Sequence, residues 1–270
     1  MREGRTGVSW GRATGEGSVR VAVISDVHGN RWALEAVLAD VRGRAVDAIL
    51  DLGDSLYGPL DPGGTAELFI AHGIAGVRGN EDRIVLEEPQ PDDSATLRYT
   101  RSCLSAEQVA WLAALNRTRQ WHGRLLCCHG TPERDDAYLL ETLTKGQVLV
   151  ATSAELAARL GGVRAAVVLC GHSHAPRAVA LPGGRLIVNP GSVGLPAYRD
   201  DAPVPHAMEA GSPHARFALV DRTEGGWRVE HVAVPYDWEA ASRVAAANGR
   251  ADWAEWLVTG RARAPSGEAE

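Results

Sequence analysis

Asp26, His28, Asp54, Asn80, His129, His172 and His174 are the side chains of this chain whose types and spacing could do chemistry. They sit in short glycine-bearing motifs: SDVHGN from Ser25, DLGD ending at Asp54, GNED from Gly79, CCHG ending at Gly130, and GHSH from Gly171. Carboxylate and amide oxygen mixed with imidazole nitrogen suits borderline divalent ions such as Mn²⁺, Fe²⁺ or Zn²⁺. Ca²⁺ prefers an all-oxygen shell and Cu(I) prefers thiolate.

Each motif follows an apolar run: VRVAVIS before Asp26, AVDAIL before Asp51, IAGVR before Asn80, RLLCC before His129 and AAVVLC before His172. Runs of this kind read as parallel strands covered on both faces, and ligand sites in open α/β sheets lie beyond the carboxyl ends of such strands. One edge of the fold should therefore gather all seven side chains. The neighbouring glycines permit tight turns and close backbone approach there. Helices are marked by Asn30 as a cap before Leu34, Val37, Leu38 and Val41. Capping boxes stand at Ser105 with Gln108 and at Thr152 with Glu155, and a last helical stretch starts at Asp237. After GHSH short strands are expected at 177–181, 184–188, 216–220 and 227–234, with Gly183 and Gly184 turning the first pair. The stretch 199–215, broken by Pro203, Pro205, Gly211 and Pro213, reads as a long loop and a lid candidate.

SDVHGN, GDSLYGP, GN, HGTP, GHSH and NPGSVGLP, in that order over residues 19–234, resemble the calcineurin-like metallophosphoesterase superfamily. The finer likeness, carried by Tyr57–Gly58–Pro59 and by NPGSVG, is to its small bacterial and archaeal phosphodiesterases, relatives of diadenosine tetraphosphatases. The serine/threonine phosphatases are less similar, because the DRG after the bridging aspartate and the histidine after the asparagine are both missing. The resemblance implies an α/β fold, a four-layer α-β-β-α sandwich of two mixed sheets flanked by helices. It implies two divalent metal ions, with Mn²⁺ first and Fe, Zn, Ni or Co as alternatives. Asp26, His28 and His174 would hold one, Asn80, His129 and His172 the other, and Asp54 would bridge. Asp54, Asn80, Glu81 and His129 would be the catalytic residues, with a metal-bridging hydroxide as nucleophile.

Glu81 stands where many members of that family have a histidine able to protonate the leaving oxygen, so substrates with good leaving groups are expected. Arg83, Arg134, Tyr198 and Arg199 each follow a motif and are candidate substrate contacts; arginine suits phosphate through its planar fork. The expected function is a phosphodiesterase or nucleotide polyphosphate hydrolase. A phosphomonoesterase or protein phosphatase is the alternative within the class, and a non-catalytic interaction scaffold on the same fold is the alternative outside it.

The remaining histidines, His72, His122, His206, His214 and His231, belong to no motif and read as structural or surface residues. Cys103, Cys127, Cys128 and Cys170 lack CxxC spacing and read as free thiols; Trp238, Trp253 and Trp256 read as packing anchors. The 270 residues suffice for one large core, with a single domain over 19–260 and flexible ends at 1–18 and 261–270. A formal charge of −6, without a basic stripe, argues against general nucleic-acid binding. No run reaches membrane-spanning length and no apolar signal core is visible, so a cytoplasmic protein acting on a small phosphodiester or nucleotide is expected, its homo-oligomeric state open.

Overall fold

Every apolar run that ends in a motif is a strand. The computed structural model describes residues 19–144 and 147–262. Its first sheet runs β14–β13–β1–β2–β3, with β1 (Arg20–Ile24), β2 (Ala48–Asp51), β3 (Ala75–Gly76), β13 (Ala215–Thr223) and β14 (Gly226–Val234). Its second runs β4–β5–β8–β10–β9, with β4 (Thr118–Trp121), β5 (Leu125–Cys128), β8 (Val167–Leu169), β9 (Arg177–Ala180) and β10 (Leu186–Asn189). In each sheet the motif-bearing strands are parallel: β1 with β2, β2 with β3, β5 with β8, and β8 with β10. The remaining pairings are antiparallel, which makes both sheets mixed.

Strand alternation sorts the side chains into layers. Val21, Val23, Leu50, Val220, Leu125, Cys127, Val167 and Leu169 meet between the sheets. The opposite face of the first sheet, with Ala22, Ile24 and Phe217, packs on helices α1 (Arg31–Val41) and α2 (Pro62–His72) and on Val85, Leu97 and Leu112 of α3 (Asn80–Leu86), α4 (Ala95–Ser102) and α5 (Ala106–Ala113). Leu126, Cys128, Val168 and Ile187 on the outer face of the second sheet pack on Leu156 and Leu160 of α6 (Ser153–Leu160). The architecture is the expected four-layer sandwich. Leu50 is fully buried at its centre, where truncation to alanine costs about 2–5 kcal/mol.

Local chemistry sets the helix starts. Asn30 Oδ1 accepts from Ala33 N at 3.1 Å, and the boxes at Ser105/Gln108 and Thr152/Glu155 are both formed. Each supplies acceptors to amides that have no partner inside the helix. Gly183 and Gly184, at φ 92° and 85°, turn β9 into β10.

The structure departs from these expectations at several places. The stretch from 199 is no long loop: Ala197–Asp200 (β11) and His206–Glu209 (β12) pair antiparallel as a two-stranded ribbon, with Asp200 opposite His206. Prolines 203 and 205 fall in the turn, where no ladder amide is needed. A second ribbon, β6 (Glu141–Thr144) with β7 (Gln147–Val150), follows the HGTP region. The strands at 216–220 and 227–234 belong to one long hairpin, nine residues per strand, that closes the first sheet. The last helical stretch is two helices, α7 (Trp238–Ala247) and α8 (Ala251–Thr259), broken where Gly249 takes φ 78°. Residues 1–18 and the tail beyond 262 lie outside the described residues. Ala262, expected in the flexible end, is 1 % exposed and its amide donates to Glu209. No helix among the described residues is long and apolar enough to cross a membrane.

Candidate metal centre

Strand ends bring all seven predicted ligands to one edge of the sandwich. Asp26 and His28 follow β1, Asp54 follows β2, Asn80 opens α3, His129 follows β5, and His172 and His174 follow β8. Five of them, Asp26, His28, Asp54, His172 and His174, have φ of 55°, 51°, 53°, 67° and 56°. Such backbone is sparsely populated for residues with a Cβ and costs on the order of 1–3 kcal/mol per residue. Bonds between the loops hold it. Asp26 N donates to Gly53 O at 2.9 Å, His28 N to Asp54 O at 2.9 Å, Gly171 N to His129 O at 2.7 Å and Gly194 N to Asp26 O at 3.0 Å. The last needs a glycine, since a Cβ on residue 194 would overlap the Val27 carbonyl. Asn189 and Ser192 of the NPGSVG turn bind the Gly171 and Asp26 carbonyls at 2.7 and 2.8 Å.

Hydrogen bonds also settle three imidazoles. His28 Nδ1 faces Tyr57 O at 3.1 Å, His129 Nδ1 faces Leu52 O at 2.8 Å and His174 Nδ1 faces Leu195 O at 2.7 Å. A carbonyl only accepts, so each Nδ1 carries the hydrogen and each Nε2 points into the site. Metal-binding histidines have this arrangement almost without exception. Asp26, His28 and His174 place one ligand atom each within 4.8 Å of one another, and so do Asp54, His129 and His172. His28 and His174 approach Nε2 to Nε2 at 3.1 Å, and His129 Nε2 lies 3.1 Å from Asp54 Oδ2.

Asp26 Oδ2, Asn80 Oδ1 and His129 Nε2 are buried and have no hydrogen-bond partner. Buried polar atoms are rarely left so. Asp26 and Asp54 are 0 % and 3 % exposed, and among the described residues neither pairs with Lys or Arg. The donor set and its orphaned atoms fit divalent cations, which would neutralise both carboxylates and complete all three atoms.

Without cations the imidazoles take up protons in their place. Burial disfavours a charged His129, yet Asp54 and Asp26 outweigh it and hold its pKa up at about 10. Burial also works against His28, and Glu81, Asp54 and Asp26 raise it to about 9. His172 goes the other way, down to about 4, by burial and by the charge on His129. Asp54 stays well below the ordinary carboxylate range because His129, His28 and His172 overcome its burial.

The cavity above the cluster measures about 300 Å³. Tyr198 and Arg199 line it as the sequence suggested; Arg83 and Arg134 do not. Arg83 pairs with Asp135 at 2.8 Å and Glu87 at 3.0 Å, and Arg134 with Asp136 at 3.0 Å. Glu81 lines the cavity, with its buried Oε2 3.1 Å from His28 Nδ1 but unbonded, because that nitrogen donates to Tyr57 O. Tyr57, Tyr138, Arg250, Trp253 and Trp256 also line it. Sequence reading gave none of these a role at the site. Trp253 and Trp256 are packing anchors as expected, 3 % and 9 % exposed, and Trp253 also meets the His28 ring edge-on at 5.7 Å. Asp82 was missed too, although it stands inside GNED. Its carboxylate accepts from Ser55 N, Leu56 N and Gly79 N at 3.0, 3.3 and 3.2 Å, stapling two motif loops together. The cysteines are free and none joins a ligand cluster; Cys128 Sγ turns to the Gly130 and Leu169 carbonyls.

Known proteins share this fold. An uncharacterised protein of Methanocaldococcus jannaschii is 26 % identical over 264 residues, covering 89 % of this chain and 98 % of that protein. The crystal structure of a metallophosphoesterase from Sphaerobacter thermophilus superposes with a TM-score of 0.71 at 26 % identity, covering 91 % of this chain and 100 % of the other. A hypothetical protein from Pyrococcus horikoshii shares the fold, with a TM-score of 0.68 at 20 % identity over 90 % of this chain and 99 % of its own. The family model of the calcineurin-like phosphoesterase superfamily domain matches residues 19–208. With strands, motif loops and convergent ligand side chains in place over that span, the chain belongs to the calcineurin-like phosphoesterase superfamily.

Proposed function

We propose that the protein is a phosphohydrolase whose two adjoining ligand clusters hold two divalent cations, Mn²⁺ foremost, and that its substrate is a small phosphodiester or a nucleotide polyphosphate. The observation that carries this reading is the convergence of Asp26 Oδ2, Asn80 Oδ1 and His129 Nε2, buried and unpartnered, on two neighbouring clusters. Asp26, His28 and His174 would hold one cation, Asn80, His129 and His172 the other, with Asp54 shared. When bound, such a pair lowers the pKa of a water between them and neutralises charge on phosphoryl oxygens.

The chain's own residues supply position. Glu81 N donates to Asp54 Oδ1 at 2.9 Å and fixes the central carboxylate. Arg199 is exposed at the rim and has no side-chain partner among the described residues, which leaves it free for a phosphate oxygen. Burial raises the Glu81 carboxyl to about 7 in the metal-free protein, against the pull of His28. Two cations would draw it down again and weaken it as a proton donor. Substrates whose leaving group needs no proton are therefore favoured, such as aryl diesters and phosphoanhydrides. A cavity at the small end of ligand sites supports a nucleotide-sized substrate over a phosphoprotein segment. A scaffold gives no account of seven converging ligand side chains.

The test is hydrolysis of bis-p-nitrophenyl phosphate by chelator-stripped protein, with and without Mn²⁺, beside Asp54→Asn. Turnover restored by Mn²⁺ and lost in Asp54→Asn supports the reading. Folded protein that is inactive with every divalent ion overturns it.

A further inference from the structure

Three of the four site histidines have Nδ1 tied to a backbone carbonyl; the fourth, His172, does not. Among the described residues no hydrogen bond reaches its ring; its backbone alone is engaged, the amide with Asp26 Oδ1 at 3.3 Å and the carbonyl with Tyr198 Oη at 3.1 Å. What its ring has instead is a parallel aromatic neighbour. Tyr138 lies against it with centroids 4.7 Å apart and planes 28° from parallel. The adjoining ligand is treated similarly: Tyr198 meets the His174 ring at 4.6 Å and 64°.

We propose that Tyr138, Tyr198 and His206 form a brace that orients the His172 and His174 imidazoles for cation binding, Tyr138 standing in for the carbonyl that His172 lacks. The inference rests on the metal-centre reading above. The three residues come from separate places: Tyr138 precedes β6, Tyr198 lies in β11 and His206 opens β12. The β11–β12 ribbon thereby reaches the site through side chains, whereas a lid would reach it by closing.

The polar ends of the brace form a chain with a defined direction. His206 Nδ1 is 2.8 Å from Val204 O, so that nitrogen carries the hydrogen and leaves Nε2 to accept. Tyr138 Oη, 2.8 Å from Nε2, donates to it. Tyr198 then has one hydrogen for two acceptors, Tyr138 Oη at 2.7 Å and the His172 carbonyl at 3.1 Å. Rotation of the Tyr138 ring off His172 would break the His206 bond, so the anchor holds the stack. His206 is 6 % exposed and belongs to no ligand cluster among the described residues, which makes it a positioning residue and no ligand.

The experiment measures binding of Mn²⁺ by calorimetry and the visible absorption of the Co²⁺-loaded protein for wild type, Tyr138→Phe, Tyr138→Leu and His206→Ala. Tyr138→Phe keeps the ring but loses its bond to His206, and is expected to weaken the same ion as His206→Ala does, and less than Tyr138→Leu. Tyr138→Leu is expected to weaken one of the two bound ions about 10–100-fold, the usual effect of losing an outer partner of a metal ligand. The ion that His174 would help to hold should weaken less, because Tyr198 keeps its place on that ring, and the Co²⁺ bands should shift. His206→Ala should show the same change to a smaller degree, and carries the test if Tyr138→Leu does not fold. Unchanged affinities and spectra in Tyr138→Leu and His206→Ala overturn the brace, as does equal weakening of both ions, which marks general loss of packing. Wild-type protein that takes up neither Mn²⁺ nor Co²⁺ overturns the metal-centre reading together with the brace.

Discussion

The backbone N–H of Glu81 donates to Asp54 Oδ1 at 2.9 Å. Through this bond the first turn of α3 orients the Asp54 carboxylate, which groups with His129 and His172. Asp82 reinforces the link by accepting from Ser55 N, Leu56 N and Gly79 N. The DLGD and GNED motifs thus act as one unit, although 24 positions separate Asp51 from Ala75, the first residue of the strand leading to the second motif.

Gly79 sets the distance inside that unit. A Cβ there would overlap Asp54 Oδ1 and Asp54 N. Gly79→Ala is expected to lower stability by about 2–4 kcal/mol, the range of overpacked buried sites, and to abolish Mn²⁺ binding. Urea unfolding and calorimetry check this; wild-type metal affinity in the variant would refute the tight-approach argument.

Cation binding should expel protons. His28 and His129, at about 9 and about 10, hold theirs at neutral pH in the metal-free protein. Both lie above the ordinary 6.5, so their contribution to stability is complete below pH 6.5 and is lost as pH rises through 9 and 10. A metal needs the same nitrogens bare. Filling both sites at pH 7 is expected to release about two protons, measured by calorimetry in buffers of different ionisation enthalpy. The metal-free melting temperature should fall between pH 7 and 10. Binding without proton release contradicts the account.

Glu81 should tune the leaving group. Glu81→His installs a proton donor suited to neutral pH. It is expected to raise the rate on an alkyl diester relative to bis-p-nitrophenyl phosphate by at least about tenfold, below the full effect of a general acid. Steady-state rates on both substrates give the ratio, and an unchanged ratio removes Glu81 from that role.

Away from the site, Asp221 joins β13 to its neighbours, at 2.6 Å from Arg20 Nε of β1 and 2.6 Å from Arg228 Nη2 of β14. Burial opposes its charge, but these two guanidinium groups hold its pKa below 3.8. A depressed carboxylate stabilises the fold above its ordinary value and ceases to do so as pH falls through the lower one. Asp221→Asn should cost about 1–2 kcal/mol at pH 7, with the gap to wild type closing below pH 3.8. Thermal melts at pH 7 and pH 3 decide it.

Ligands that follow apolar strands were legible in the chain because both the strand and the turn that ends it are local patterns. Asn30, Ser105 and Thr152 were legible as caps for the same reason. The β11–β12 ribbon was not, since its four-residue strands carry no alternation clear of the prolines and depend on a distant partner, Tyr138. Arg83 and Arg134 show the converse: closeness to a motif in sequence did not bring them to the cavity, because Asp135 and Asp136 offered nearer carboxylates. Arg250 and Trp253 reach the wall from a helix far along the chain, through tertiary packing that no local pattern encodes.

Asp26, His28, Asp54 and Asn80 rise from the first sheet, and His129, His172 and His174 from the second. Both ligand clusters draw on the two sheets. A cation in either cluster would act as a rivet through the seam of the sandwich, and neither half could grip one alone. Sliding one sheet past the other by a fraction of a bond length would spoil both sites at once, and a chelator would loosen the joint between the halves as well as silence the chemistry.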